Sequence, residues 1–150
     1  MFIKKLNFRN YNEIRRLILR NKLEIPPYRY WKKVWNNNGK KVGEGIISKN
    51  KLVGYHSFFK KKIRFKNKFY NILISSNWNV NKNFRNTSII LLNRYFKANC
   101  DFFITTTANK IVSKIWKSFG AIEVNSIGCA KVIFKVLDIS KFIQAFLIKK

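Results

Sequence analysis

Between Asn77 and Phe96 the sequence runs NWNVNKNFRNTSIILLNRYF. Its first residues alternate as a strand does, and Ile89, Leu92, Tyr95 and Phe96 recur at helical spacing. Between them lies a polar turn with Lys82 and Arg85 and no glycine. A helix starting near Asn86 would present backbone N–H groups without internal partners, together with the positive end of its dipole. A guanidinium at that mouth adds a planar pair of donors suited to phosphate. Lys82 is close enough in sequence to help, and Asn86, Thr87 and Ser88 close the turn. The chemistry this pattern suits is the binding of a diphosphate. The competing reading is that Arg85 is one more solvated base, since 32 of 150 residues are Lys or Arg.

Groups that move protons are scarce. The chain has six carboxylates and one histidine. Glu13 stands three residues after Asn10, the spacing of a capping box. Glu44 falls on a predicted strand, Asp101 opens another, and Asp138 fits a helix cap. His56 is left as the candidate general base, with a structural strand histidine as the alternative. Ser76, Asn77 and Trp78 sit near the end of a long predicted strand and could line a substrate pocket without titrating. Tyr28, Trp31 and Trp35 share one helical face, which is either core packing or the wall of such a pocket. Cys100 and Cys129 have no histidine at ligand spacing, so they read as reduced, buried thiols, and no metal site is predicted.

The elements that must position these groups follow from periodicity. Phe2–Phe8 reads as a strand and Asn10–Asn21 as a helix. After Pro26 and Pro27 a second helix carries the aromatic face and ends in the turn residues Asn36–Gly39. Val42–Ser48 and Lys51–Phe59 read as a hairpin across KNK. Ile63–Phe65 either extends its second strand or begins the next, and a turn at Lys66–Lys68 precedes the long strand Phe69–Val80. Helix Ser88–Phe96, strand Phe102–Thr106 and helix Asn109–Phe119 follow, the last ended by Gly120. Strands Ala121–Val124 and Lys131–Val136 precede a final helix capped by Asp138 or Ser140. An antiparallel meander followed by a strand–helix–strand–helix unit predicts a mixed sheet with helices packed on it.

That order, with the strand–turn–helix just past the middle, resembles the GNAT superfamily of acyl-CoA N-acyltransferases. Phe69–Val80 with Asn81–Asn86 resembles the strand and phosphate-binding turn of the acyl-CoA site. NKIVSKIWKSFG, Asn109 to Gly120, resembles the later helix of that fold. YRYWKKVWNNN, Trp78-Asn-Val and Thr106-Thr-Ala-Asn109 resemble segments of members from bacterial surface-polysaccharide gene clusters. Some of those are longer chains, so residues 1–150 form one such domain, in whole or in a short or truncated form. The resemblance implies an α+β fold with a mixed, largely antiparallel sheet flanked by helices. It implies acetyl-CoA, or another acyl-CoA, held by Val80, Lys82, Arg85, Asn86, Thr87, Ser88, Asn109 and Trp116. It implies an amine acceptor, an amino sugar being one class, beside Tyr28, Trp31 and Trp78, with His56 and Asn77 as catalytic candidates. A homodimer is also open. Holding a thioester beside an amine supplies much of the rate by proximity, and a backbone N–H near Val80 could polarise its carbonyl. Two departures stand out. The family turn usually reads Arg/Gln-x-x-Gly-x-Gly/Ala, and here Ser88 and Ile90 replace the glycines. A serine hydroxyl can donate to phosphate, whereas Ile90 either narrows the groove or packs the core. Many members place an acidic tyrosine where this chain has Trp116, whose indole cannot make that proton transfer.

A net charge of +26 raises another class, a basic protein that binds nucleic acid with aromatics stacked on bases. Lys, Asn, Ile and Phe are abundant throughout, as an A/T-rich genome would make them, and non-specific binding of polyanions at low salt follows from either origin. A catalytically inactive GNAT-like domain that pairs with another chain is the third reading, motivated by Trp116 and Ile90. No apolar run reaches the length of a membrane span and the start carries no apolar leader, which places the expected protein in the cytoplasm. The tail FIQAFLIKK reads as a docking helix or a membrane-surface contact.

Overall fold

A computed structural model describes residues 1–35, 43–105, 108–125 and 131–136. The elements are β1 (Phe2–Leu6), α1 (Tyr11–Arg20), α2 (Tyr28–Trp35), β2 (Gly43–Ser48), β3 (Lys51–Phe65), β4 (Lys68–Val80), α3 (Ile89–Phe96), β5 (Phe102–Thr105), α4 (Lys110–Ser118), β6 (Ile122–Asn125) and β7 (Lys131–Val136). Strands β1–β2, β2–β3, β5–β7 and β6–β7 pair antiparallel and β4–β5 parallel, the mixed and largely antiparallel sheet that was expected. Ile63–Phe65 extends β3 rather than starting a new strand. The expected turn at Asn36–Gly39, the Asp138 or Ser140 cap, Cys129 and the tail lie outside the described residues.

The chain divides into two compact units, Met1–Phe58 with Asn77–Ala98, and Phe59–Ser76 with Asn99–Lys150. In the first, β1 runs against β2 from Phe2↔Ile47 to Leu6↔Gly43. β2 turns into β3 through Lys49 and Asn50, both left-handed at φ 46° and 58°, the two-residue turn whose twist matches a hairpin. A bulge breaks this pairing: Ile46 faces Gly54 and Ile47 faces Leu52, leaving Val53 as the extra residue. Leu52 and Tyr55 consequently join Ile14, Leu17 and Ile18 of α1 and Trp31 and Trp35 of α2 in one cluster, while Val53 joins Ile46 and Leu91 of α3 in another. Each such buried Leu or Ile contributes about 1.5–3 kcal/mol.

The first helix starts differently from expectation. A 3-10 turn, Phe8–Asn10, precedes it and takes the capping box: the Asn7 side chain accepts from Arg9 N–H and the Asn10 side chain from Asn7 N–H, so Asn10 stands at the N-cap of α1 without a side-chain cap bond. Glu13 instead pairs with Lys4 at 2.9 Å, because β1 brings an ammonium within reach. The helix ends with Lys22 N–H donating to the Leu19 carbonyl and Leu23 N–H to the Ile18 carbonyl, a Schellman arrangement that holds Lys22 at φ 55°.

In the second unit, Lys66 and Asn67 make another left-handed two-residue turn between β3 and β4. β4 pairs with β5 from Ile72↔Phe102 to Ser75↔Thr105. Asp101 fixes the start of that pairing, its carboxylate accepting from Asn71 N–H at 2.7 Å and its own N–H donating to the Asn71 carbonyl at 2.8 Å. Asn109 caps α4, and Gly120 follows it at φ 81°, as the sequence predicts. Cys100 is buried as a free thiol.

Candidate functional site

The bulge in β3 reaches the turn that follows β4. The carbonyl of Val53, the extra residue, accepts from Asn81 N–H at 2.8 Å. Gly54 beside it leaves room for β4, since a β-carbon there would lie 3.1 Å from a Val80 methyl. Asn81 then caps the turn: its side-chain oxygen accepts from Asn83 N–H at 3.1 Å and its carbonyl from Phe84 N–H at 2.9 Å. From Lys82 to Ser88 the chain is wound as a 3-10 helix, and α3 begins only at Ile89.

This changes the expected seat. Helical winding begins at Lys82 rather than near Asn86, and the amides of Asn83 and Phe84 are already satisfied by Asn81. Three residues per turn stack positions i and i+3, so Lys82 and Arg85 lie along one edge. Both are exposed, and neither makes an ion pair among the described residues. Ser88, next along that edge, is buried, and its hydroxyl donates to the Arg85 carbonyl. The Thr87 hydroxyl likewise donates to the Phe84 carbonyl at 2.8 Å. The expectation that Ser88 offers its proton to a phosphate is therefore corrected: both hydroxyl donors turn inward, and the edge offers cations rather than hydroxyls. Asn86 is exposed. Ile90 does not pack the core; it is 40% exposed, as is Ile89.

His56 lies on β3 directly opposite Glu44 of β2 and is fully buried. Its ring stands 4.7 Å from that of Tyr95, 5.7 Å from Phe58 and 6.0 Å from Trp78. Burial pushes its pKa down to about 3, against the opposing pull of a hydrogen bond with the Leu91 backbone and the charge of Glu44. That environment argues against the expected base. Accepting a proton from an alkylammonium of pKa about 10 would run about 10 kcal/mol uphill. Glu44 is held elsewhere, in a two-pronged pair with Arg94 of α3 at 2.8 and 3.0 Å. Glu123 pairs with Lys117. Of the carboxylates, Glu13, Glu44, Asp101 and Glu123 thus all have structural partners.

Asn77 accepts at its carbonyl from the Ser57 hydroxyl at 3.4 Å. Trp78 is half-buried, and its indole N–H has no acceptor among the described residues. Of the two readings of the α2 aromatic face, Trp31 takes core packing: it is 1% exposed, 4.5 Å from the Trp35 ring. Its indole N–H also has no acceptor among the described residues. Tyr28 is 51% exposed at the end of that face, against Tyr11 and Phe8. Asn109 and Trp116 belong to the second unit. There Asn109 spends its side-chain oxygen on Ile111 and Val112 N–H, and Trp116 is buried.

Sequence reading missed Asn81 and the Glu44–Arg94 pair. Asn81 carried a signal, a cap-forming residue two positions before a third asparagine. The pair carried none, since fifty residues separate its members.

No protein-family model matches this sequence, and neither does any curated protein sequence. Solved structures do match its shape. NAA60 of Arabidopsis thaliana, in complex with acetyl-CoA, superposes with a TM-score of 0.70 at 10% identity, over 91% of this chain and 99% of that one. The NatB acetyltransferase complex bound to CoA and MES gives 0.67 at 11% identity, over 92% and 100%. Diaminobutyrate acetyltransferase EctA from Paenibacillus lautus, with its substrate and coenzyme A, gives 0.62 at 12% identity, over 89% and 92%. The chain has the fold of the GCN5-related N-acetyltransferases.

Proposed function

We propose that this chain is an N-acyltransferase that moves an acetyl or other acyl group from acyl-CoA to an amine, with residues 1–150 acting as one domain. The observation that carries the reading is the exposed edge of Lys82 and Arg85 on the turn that leaves β4. Two cations three residues apart on a 3-10 turn match a diphosphate in charge and spacing, and the fold is shared with enzymes solved with CoA. In the reaction the amine nitrogen bonds to the thioester carbonyl carbon, the C–S bond breaks, and the thiolate takes up a proton. Val80 N–H is the donor assigned to the carbonyl oxygen, and Asn77 and Trp78 are assigned to the acceptor. With His56 buried and weakly basic, the amine proton leaves to solvent. An amino sugar is the acceptor class to assay first, because half-exposed Tyr28 offers an aromatic face of the kind sugar C–H groups pack on.

The test is calorimetric titration with acetyl-CoA beside titration with S-acetyl-pantetheine, which lacks the diphosphate. Arg85→Ala should weaken acetyl-CoA about tenfold or more and leave the short analogue unchanged, the loss of one charge-assisted contact of about 1.5–3 kcal/mol. No heat with millimolar acetyl-CoA, or equal losses for both ligands, would sink the reading.

A further inference from the structure

From Lys60 to Phe69 every residue is exposed. Six of these ten are cations, Lys60, Lys61, Lys62, Arg64, Lys66 and Lys68, and none is acidic. The same stretch carries three exposed large apolar side chains: Ile63 at 41%, Phe65 at 40% and Phe69 at 61%. These residues form the end of the β3–β4 hairpin, about 20 Å of paired strand. Period-two alternation puts Lys60, Lys62 and Arg64 on one face of β3, and Lys61, Ile63 and Phe65 on the other. Lys62 and Arg64 lie 4.9 and 5.9 Å from the Phe69 ring, so Phe69 shares their face. Lys66 lies 5.8 Å from the Phe65 ring. Lys60, Lys61, Lys62, Arg64 and Lys68 make no ion pair among the described residues. Ile63–Phe65 was expected as strand and Lys66–Lys68 as a turn, and the proposed reaction uses neither.

We propose that this hairpin tip docks on an anionic lipid surface. A polyanionic partner follows from the charge, and the placement of the apolar groups selects which one. A nucleic acid strand laid along a ribbon covers one of its faces. Here the apolar side chains sit on both faces at the closed end, with cations beside them on both. That is the arrangement that lets a tip enter the headgroup region: the rings reach toward the acyl boundary while the lysines extend their charges to lipid phosphates. Each cation near an anionic surface strengthens binding about fivefold.

Sedimentation of the full chain with vesicles tests this, using phosphatidylcholine containing about a third phosphatidylserine at 0.15 M salt. Lys61→Gln, Lys62→Gln and Arg64→Gln together should weaken binding on the order of a hundredfold. Arg15→Gln, Arg16→Gln and Lys32→Gln, a control of equal net charge on the helices, should weaken it less than fivefold. Phe65→Ser with Phe69→Ser should weaken it at least tenfold with all charges kept. Phe65→Trp should shift its fluorescence to the blue on these vesicles. Circular dichroism on each variant separates loss of docking from loss of fold. Equal losses for hairpin and helix triples would overturn the proposal in favour of diffuse charge. So would a single-stranded oligonucleotide that binds tighter than the vesicles and alone responds to Phe65→Ser with Phe69→Ser.

Discussion

Acid should loosen this protein through one side chain. His56 is the only histidine in the chain, and burial holds its folded pKa near 3, against 6.5 for an exposed imidazole. The folded value lies below the unfolded one, so between pH 6.5 and 3 the unfolded chain binds the extra proton. Stability from this group is therefore complete above pH 6.5 and falls as the pH drops through that window, levelling off below about 3. Linkage gives a loss of about 2 kcal/mol at pH 5 relative to pH 8, and about 5 kcal/mol once both states are protonated. Ordinary carboxylates titrate lower, and there are only six, so little else acts at pH 5.

Urea unfolding at pH 8 and pH 5, at constant ionic strength, measures the effect. His56→Phe should remove most of the difference between the two pH values. A phenyl ring suits a site walled by Phe58, Trp78 and Tyr95, although it gives up the hydrogen bond with the Leu91 backbone, so the variant is compared with itself across pH. The lone imidazole gives one pair of ring C–H resonances, Hδ2 and Hε1, and both should stay put from pH 8 to pH 5 in the folded protein. A resonance that titrates near 6.5, or a variant as acid-sensitive as the parent, refutes the reasoning. In a transfer assay the same burial predicts that log kcat/KM rises with slope one up to the acceptor's own pKa, with no break at 6.5.

Arg94→Ala strips the buried Glu44 carboxylate of its guanidinium. Because Arg94 is itself half exposed and water can partly replace it, the urea-measured loss should be about 2 kcal/mol rather than the larger value of a fully enclosed pair. Lys22→Gly relieves a left-handed lysine at the end of α1 and should raise stability by roughly 1 kcal/mol, read as a higher melting temperature. Ile90→Ala trims a 40% exposed side chain five residues past Arg85 and should tighten acetyl-CoA a few-fold in calorimetry, with little change in stability.

Local chemistry made much of the fold legible. The α1, α2 and α4 faces, the two hairpins and the Gly120 stop are written in periodicity and turn residues, which act over a few positions. What escaped was set by long-range pairing. Asn10 and Glu13 have the spacing of a capping box, yet Lys4 on β1 offered Glu13 a charge partner and the Asn10 side chain bonds back to Asn7 in the 3-10 turn before α1. His56 looked like a base because proton acceptors are scarce, but only tertiary structure could show that β3 buries it against α3. The Val53 bulge has one faint sequence mark, the neighbouring Gly54 inside a strand pattern, but which residue is extra depends on the register of two strands.

The missing glycines carry a lesson about the turn itself. Glycine is demanded where backbone must adopt a left-handed conformation or approach a ligand without a β-carbon. The first reason does not apply here. Ser88 sits at φ −68°, ψ −19° and Ile89 at φ −58°, ψ −27°, right-handed values that any residue adopts. No residue from Asn81 to Ile90 has a positive φ. The winding is instead set from below, by the Val53 carbonyl and the Asn81 cap. Losing glycine therefore costs the turn no backbone strain; it costs space. At Ser88 that space is recovered by turning the hydroxyl inward onto the Arg85 carbonyl. At Ile90 it is not, and the sec-butyl side chain stays at the surface. The sequence departure that most threatened the proposed diphosphate seat thus becomes a question about one exposed side chain, while the geometry of the turn stands independently of it.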